Sequence, residues 1–288
     1  PENIPLSDLV PIDRRLELAP ELLPAKWPDN QAGLESYERS LDPADPERLP
    51  AGWRDLAVTR QNSGDAMLLR VHRGLYQTLG VSGWRRFAEV NLLLKDDAHL
   101  VEQMLRIQAA FAATLVERIL SKVTIDAAIF SEPISGLSGP LISPEMFEAF
   151  VDLNYEPLLD VLRRFGVQTI IFKTYANARI LLPIVLERGF NCLWACEVNL
   201  EAMDYEDIRR EYGRDLRLVG GIDVDVLRQD HEAIRRELLQ KVPPLLADGG
   251  FIPLADGRVR QIVPYDNYVY YRDLLAKVVQ GMGSSILK

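Results

Sequence analysis

The stretch CLWACEVNLEAMDYEDIRREYGRDLRLVGGID, residues 192–223, decides the fold class. Cys192 to Cys196 is an uninterrupted apolar run of strand length. Tyr205 to Tyr212 then reads as a helix closed by Gly213, and Leu216 to Gly220 as a second strand. Short apolar runs without polar alternation are strands buried on both faces, and a helix between two of them makes a parallel βαβ unit.

Working outward, the rhythm repeats. Towards the C-terminus, His231 to Ala247 reads as a helix closed by Gly249 and Gly250. Phe251 to Leu254 reads as a strand and Asp266 to Val279 as a last helix. Towards the N-terminus, Gln168 to Phe172 is a strand and Ala178 to Arg188 a helix closed by Gly189. Ser143-Pro144-Glu145 opens a helix that runs to Phe165: a capping hydroxyl, a proline at the first helical position and an acid at the positive dipole end. Ile125 to Phe130 is a strand. Before it, Leu100, Met104, Ile107, Phe111, Leu115 and Ile119 form one apolar face of a long helix.

This alternation predicts an α/β fold of the (β/α)8 TIM-barrel type. No Gly-x-Gly-x-x-Gly follows a strand, which argues against a dinucleotide-binding sheet. Residues 1–60 are rich in Pro and acids and read as an irregular N-terminal arm with short helices. Residues 61–288 read as the barrel domain, with distortion or incompleteness expected at its N-terminal side.

Composition limits the function. The chain has 288 residues and a formal net charge of −9, so phosphate backbones are repelled and nucleic acid is not an expected partner. No apolar run reaches the roughly 18 residues of a membrane span. Neither a signal-peptide pattern at Pro1–Ile4 nor a disulfide framework is read. The two cysteines, Cys192 and Cys196, suit a reducing cytoplasm. They lie four apart in one strand, about 13 Å at ~3.3 Å per residue, too far to share a metal.

Active-site groups of a parallel barrel project from the C-terminal ends of its strands. The polar residues there are Ser131, Glu132, Lys173, Glu197, Asp223 and Asp256. Glu132, Lys173, Glu197 and Asp223 are the catalytic candidates. Crowded carboxylates acquire raised pKa values, and a lysine there binds an anion or acts as a nucleophile. The plainer alternatives are a buried ion pair of Lys173 with Glu197 or Asp223, and a capping role for Asp223. Ser131, Tyr175, Asn177, Asp256 and Arg258 complete the candidate substrate-binding set with His72, Arg73 and Tyr76. The last three come from a basic and aromatic run, residues 70–76, that reads either as an anion site or as a solvated turn. His99 and His231 fall on exposed helix faces.

Three motifs resemble the uroporphyrinogen decarboxylase superfamily: residues 130–133 with 141–147, Val219-Gly220-Gly221-Ile222-Asp223, and residues 249–253 with 263–268. The resemblance covers residues 60 to 280. It implies a distorted (β/α)8 barrel, a homodimer, and either cofactor-free decarboxylation or methyl transfer to and from corrinoids, often with zinc. Arg-Gln-Ala-Gly-Arg, which binds porphyrinogen carboxylates in the decarboxylases, has no counterpart here. Their His ten residues before the position of Asn267 is Gly257. The zinc-binding His-x-Cys-Gly corresponds to Lys173, Thr174, Tyr175 and Ala176, and the later Cys again to Gly257, so a zinc site is not expected. The expectation is a small-molecule enzyme of methyl transfer or demethylation, with a corrinoid or corrinoid protein as co-substrate and no tightly bound cofactor. The alternatives are a decarboxylase of porphyrinogens or small carboxylates, and a non-catalytic barrel used for binding or assembly.

Overall fold

The computed structural model describes residues 15–198 and 201–281. The expected start of the arm, residues 1–14, lies outside the described residues. The chain divides into two compact units.

The first unit comprises residues up to 132 and 145–170. Its sheet has three parallel strands, β1 (Arg15–Leu18), β2 (Ala66–His72) and β3 (Ala127–Glu132). Helices α1 (Leu34–Ser40), α2 (Trp53–Asn62), α3 (Leu75–Thr78), α4 (Trp84–Asp96), α5 (Ala98–Leu120) and α6 (Pro144–Arg164) accompany it. The α5 helix starts at Asp97, whose carboxylate accepts from the Leu100 N–H at 3.1 Å. Of its predicted apolar face, Leu100, Met104, Phe111, Leu115 and Ile119 are buried and Ile107 is partly exposed.

The segment read as an irregular arm is, in its described part, built into this unit. Leu16 and Leu18 sit in strand register with Met67 and Leu69. Arg48 is buried over the Phe111 ring and donates to the carbonyls of Leu23 (2.8 Å) and Ser40 (2.7 Å). Buried guanidinium groups need such acceptors, and here they tie the irregular segment to α5.

The second unit comprises residues 133–144 and 171 onward. It opens with a hairpin, β4 (Ser135–Gly136) and β5 (Gly139–Pro140). Four parallel strands follow: β6 (Thr169–Tyr175, in this unit from Ile171), β7 (Cys192–Cys196), β8 (Arg217–Ile222) and β9 (Phe251–Ala255). Helices α7 (Leu182–Glu187), α8 (Tyr205–Tyr212), α9 (His231–Asp248) and α10 (Tyr265–Val279) alternate with them. All five residues of β7 are buried, as a run without alternation requires.

The glycine pair at the end of β8 has a packing cause. The Tyr205 hydroxyl donates to Val219 O (2.7 Å) and accepts from Ala195 N (3.0 Å), locking α8 onto β7 and β8. A Cβ at Gly221, whose φ is +81°, would meet the Tyr205 ring at 2.8 Å. Asn267, buried on α10, donates to Leu227 O (3.0 Å) and Gln229 O (2.6 Å) and holds the last helix to the segment after β8.

On β9, Leu218 N bonds Gly250 O and Asp256 N bonds Ile222 O, so even-numbered residues face β8. The N–H that Pro253 lacks therefore falls on the outer edge, where it blunts further strand pairing.

Counted over the described residues, the parallel strands number seven, three in the first unit and four in the second. The α/β class and the alternation hold, but these residues do not form a closed eight-stranded barrel. None of the described helices is long and apolar enough to cross a membrane.

Candidate functional site

Glu197, Asp223 and Asp256 are each the first residue beyond a strand: β7, β8 and β9 respectively. Because the strands are parallel and adjacent, the three carboxylates face one cavity of about 340 Å³ within the second unit. Arg228, Arg258, Arg260 and Asp225 add charge to its wall, and Leu137, Val198, Val224, Ile262 and Val263 add apolar surface.

The carboxylates are held differently. Asp256 is buried, and its two oxygens accept from Val224 N (3.0 Å) and Val198 N (3.1 Å), tying together the segments after β7 and β8. Burial raises its pKa above the usual aspartate value, against the lowering effect of those two N–H groups, with the charges of Asp223 and Glu197 adding to the rise. Asp223 caps the 3-10 turn Val224–Arg228, with one oxygen accepting from Asp225 N at 2.8 Å. Its own N–H donates to Glu237 Oε1 (3.0 Å), and its second oxygen has no donor among the described residues. Asp223 thus caps the turn, as one of the sequence readings has it, and it also faces the cavity.

Glu197 is half-exposed and pairs with Arg260 Nη2 at 3.0 Å. Its φ of +45° is unfavourable for a residue with a Cβ, and its N–H donates to Asp256 O at 2.9 Å. Arg228 pairs with Asp225 at 3.3 Å. Arg258 is exposed on the cavity wall and has no ion-pair or hydrogen-bond partner among the described residues.

The other second-unit candidates lie off this cavity wall. The β6 strand continues to Tyr175, so Lys173 is inside the strand instead of at its end. The Lys173 ammonium lies 3.9 Å from the Trp194 ring centroid, across the β6–β7 register. Tyr175 is the half-buried last residue of β6. The Asn177 carboxamide oxygen accepts from Arg179 N (3.3 Å) and the Asn177 backbone N–H donates to Gly136 O (3.2 Å), positions that shape the turn after β6. Ala176 beside it has φ +51°.

The remaining candidates belong to the first unit, at the ends of β2 and β3. Glu132 is buried, and both its oxygens accept from Leu75 N at 3.0 Å while Tyr155 donates to Oε2 at 2.5 Å. Burial pushes its pKa up to about 7, against the lowering effect of those two donors. Tyr155 in turn is pushed well above the usual tyrosine range by its own burial and by the Glu132 charge.

His72 is buried between the Phe130 and Tyr155 rings. Its Nδ1 accepts from Gly74 N at 2.9 Å, which places the ring proton on Nε2. Burial drives its pKa down to about 3, against the raising effect of a hydrogen bond with the Asn154 side chain. Ser131 is half-buried in β3. Arg73 pairs with Glu21 at 3.5 Å. Tyr76 is buried, hydrogen-bonded to Asn91 at 3.0 Å and packed on Phe87, as a core residue is. His99 and His231 are exposed, and His231 stacks on Tyr270.

Sequence reasoning missed Arg260, Arg228 and Tyr155. Arg260 was signalled by the alternation Arg258-Val259-Arg260 beyond a strand end. Tyr155 carries no such signal, because in the sequence it is one more aromatic on the buried face of α6.

The zinc chemistry implied by the family resemblance does not fit the donors present. Gly257 offers no ligand, and a Cβ there would meet Glu197 Cγ at 3.0 Å. Lys173 and Tyr175 are poor zinc donors near neutral pH. Cys192 and Cys196 are buried thiols whose pKa values burial pushes up to about 12 and about 11. Among the described residues, no group of three or more His, Cys, Asp or Glu is placed to hold a metal.

No family profile matches the chain, and no curated protein matches it. Among solved structures it is similar to a methyltransferase from Methanosarcina mazei, with a TM-score of 0.52 at 17% identity over 77% of this chain. The match spans 62% of that protein's length. At this identity the likeness concerns the fold.

Proposed function

We propose that this chain is an enzyme of methyl-transfer type, with a small-molecule substrate seated in the cavity of the second unit. The observation that carries the proposal is the placement of Glu197, Asp223 and Asp256 as the first residues beyond three adjacent parallel strands, around one cavity. A volume of about 340 Å³ is at the small end of ligand pockets. The fold shared with a protein named as a methyltransferase, and the motifs at 219–223 and 263–268, support the choice of reaction. A corrinoid, free or carried by a partner protein, is the acceptor class that the resemblance implies.

In such a reaction the bond between methyl carbon and heteroatom breaks. Its electron pair stays on the heteroatom, which must carry a proton or gain one to leave easily. The strand-end carboxyl groups are the residues placed to hold that proton, and burial of Asp256 favours its neutral form. Arg258 is available for an anionic substrate group.

The test is methyl transfer from panels of methoxyaromatics and methylamines to reduced cobalamin, followed by the absorbance of methylcobalamin. Turnover that falls at least tenfold in Asp223→Asn supports the proposal. No transfer from any panel member, with release of carbon dioxide from a carboxylate panel instead, would replace it with decarboxylation.

A further inference from the structure

From the pairing of charges around the cavity we infer that its ligand is a small zwitterion, a carboxylate joined to a protonated secondary amine. This rests on the reading above that the cavity is the substrate site. Four carboxylates and three guanidinium groups face the space, and most already have partners: Glu197 with Arg260, Asp225 with Arg228, and Asp256 with two backbone N–H groups. Counted by side chain, what remains is one guanidinium, Arg258, and one carboxylate, Asp223, which has no guanidinium partner among the described residues and keeps one oxygen without a donor. A mouth with one spare charge of each sign suits a ligand carrying both, because a simple anion leaves the Asp223 oxygen unmatched and a simple cation leaves Arg258 unmatched.

The amine has N–H groups to give. Among the described residues no aromatic side chain lines the cavity, so they supply none of the ring faces that recognise a quaternary ammonium. The Asp223 oxygen is an acceptor and calls for an N–H donor. Leu137, Val198, Val224 and Ile262 supply apolar surface for the N-alkyl group. Asp223 is presented rigidly, since its first oxygen caps the following turn and its N–H is held by Glu237.

This ligand class also simplifies the reaction. An N-methyl ammonium loses its methyl group to the acceptor, a reduced corrinoid. The N–C electron pair stays on nitrogen, and the amine leaves neutral with the protons it already carried. Asp223 keeps that nitrogen protonated until the bond breaks.

Calorimetric titration of the full chain with N-methylglycine, with butyrate (its isostere lacking the amine) and with N-methylpropylamine (lacking the carboxylate) tests the assignment. N-methylglycine should bind about tenfold more tightly than either. Arg258→Ala should abolish its advantage over N-methylpropylamine. Asp223→Asn, which keeps a capping side chain, should abolish its advantage over butyrate. Equal affinities for the three probes, no binding of any, or variants that discriminate like the parent would overturn the inference. Discrimination without methyl transfer to reduced cobalamin would keep the ligand class and overturn the reaction. Methyl transfer from another panel member without discrimination would do the reverse.

Discussion

Both units place carboxylates at the C-terminal ends of parallel strands, and they treat them in opposite ways. Glu132 in the first unit is sealed in, with Leu75 N–H and the Tyr155 hydroxyl on its oxygens. Glu197 and Asp223 in the second unit face a cavity and are balanced by arginines or leave an oxygen open. Position along the strand is therefore one variable and burial another. Burial decides the proton: it pushes the pKa of the sealed carboxyl up to about 7 from the ordinary carboxylate value of 4.5. Openness decides the ligand.

The sharpest way to break this contrast is to remove each carboxylate in turn. Glu132→Ala should cost about 3 kcal/mol, because two buried donors lose their acceptor and a small void is left. Asp256→Ala should cost about 2 kcal/mol, since two backbone N–H groups lose a charged acceptor at a site closer to solvent. Urea unfolding at pH 6 measures both. Costs in the reverse order would mean that the cavity, and not the sealed cluster, is the stability centre of the strand ends.

Next in size is a pH effect confined to the sealed cluster. Glu132 has a folded pKa raised to about 7 from 4.5, so the unfolded chain releases its proton first. Its contribution is fully present below pH 4.5 and is lost as pH rises towards 7. His72 is the mirror case, lowered to about 3 from 6.5. Its contribution is present above 6.5 and is lost as pH falls towards 3. Between pH 4.5 and 6.5 the two slopes oppose each other. Tyr155, Tyr76 and Asn154, which face the pair, do not change charge in that window. Glu132→Gln removes one slope, so the variant's stability should rise with pH relative to the parent by up to ~1.4 kcal/mol per unit. A parallel pair of stability–pH curves would show that Glu132 does not hold its proton into the neutral range.

The same contrast explains what could be read from the sequence. The β7 strand and α8 helix were legible because an unbroken apolar run and a closing Gly213 leave few alternatives. The β1 and β2 strands were not: Arg15, Glu17, Arg70 and His72 make them look like arm and turn. In the fold Glu17 and Arg70 pair with each other, and His72 is buried as a neutral ring. Glu197, Asp223 and Asp256 were found by the strand-end rule alone. The same rule misplaced Lys173, because the apolar run ends at Phe172 while the ladder continues to Tyr175. Burial of Glu132 by a tyrosine on α6 is a tertiary fact that no local pattern carries.

The smallest expected effect separates charge from backbone at the open site. Glu197 combines an exposed ion pair with Arg260 and a left-handed φ of +45°. An exposed pair contributes about 0.5 kcal/mol at most, while the left-handed conformation costs a residue with a Cβ about 1 kcal/mol relative to glycine. Glu197→Ala loses the pair and keeps the unfavourable φ, so it should be neutral to slightly destabilising. Glu197→Gly loses the pair and relieves the backbone, so it should unfold at higher urea than Glu197→Ala by about 1 kcal/mol. If the glycine variant is instead the less stable of the two, Asp256 O and the Glu197 N–H do not hold that backbone as drawn. The cavity wall would then owe its shape to the Glu197–Arg260 pair.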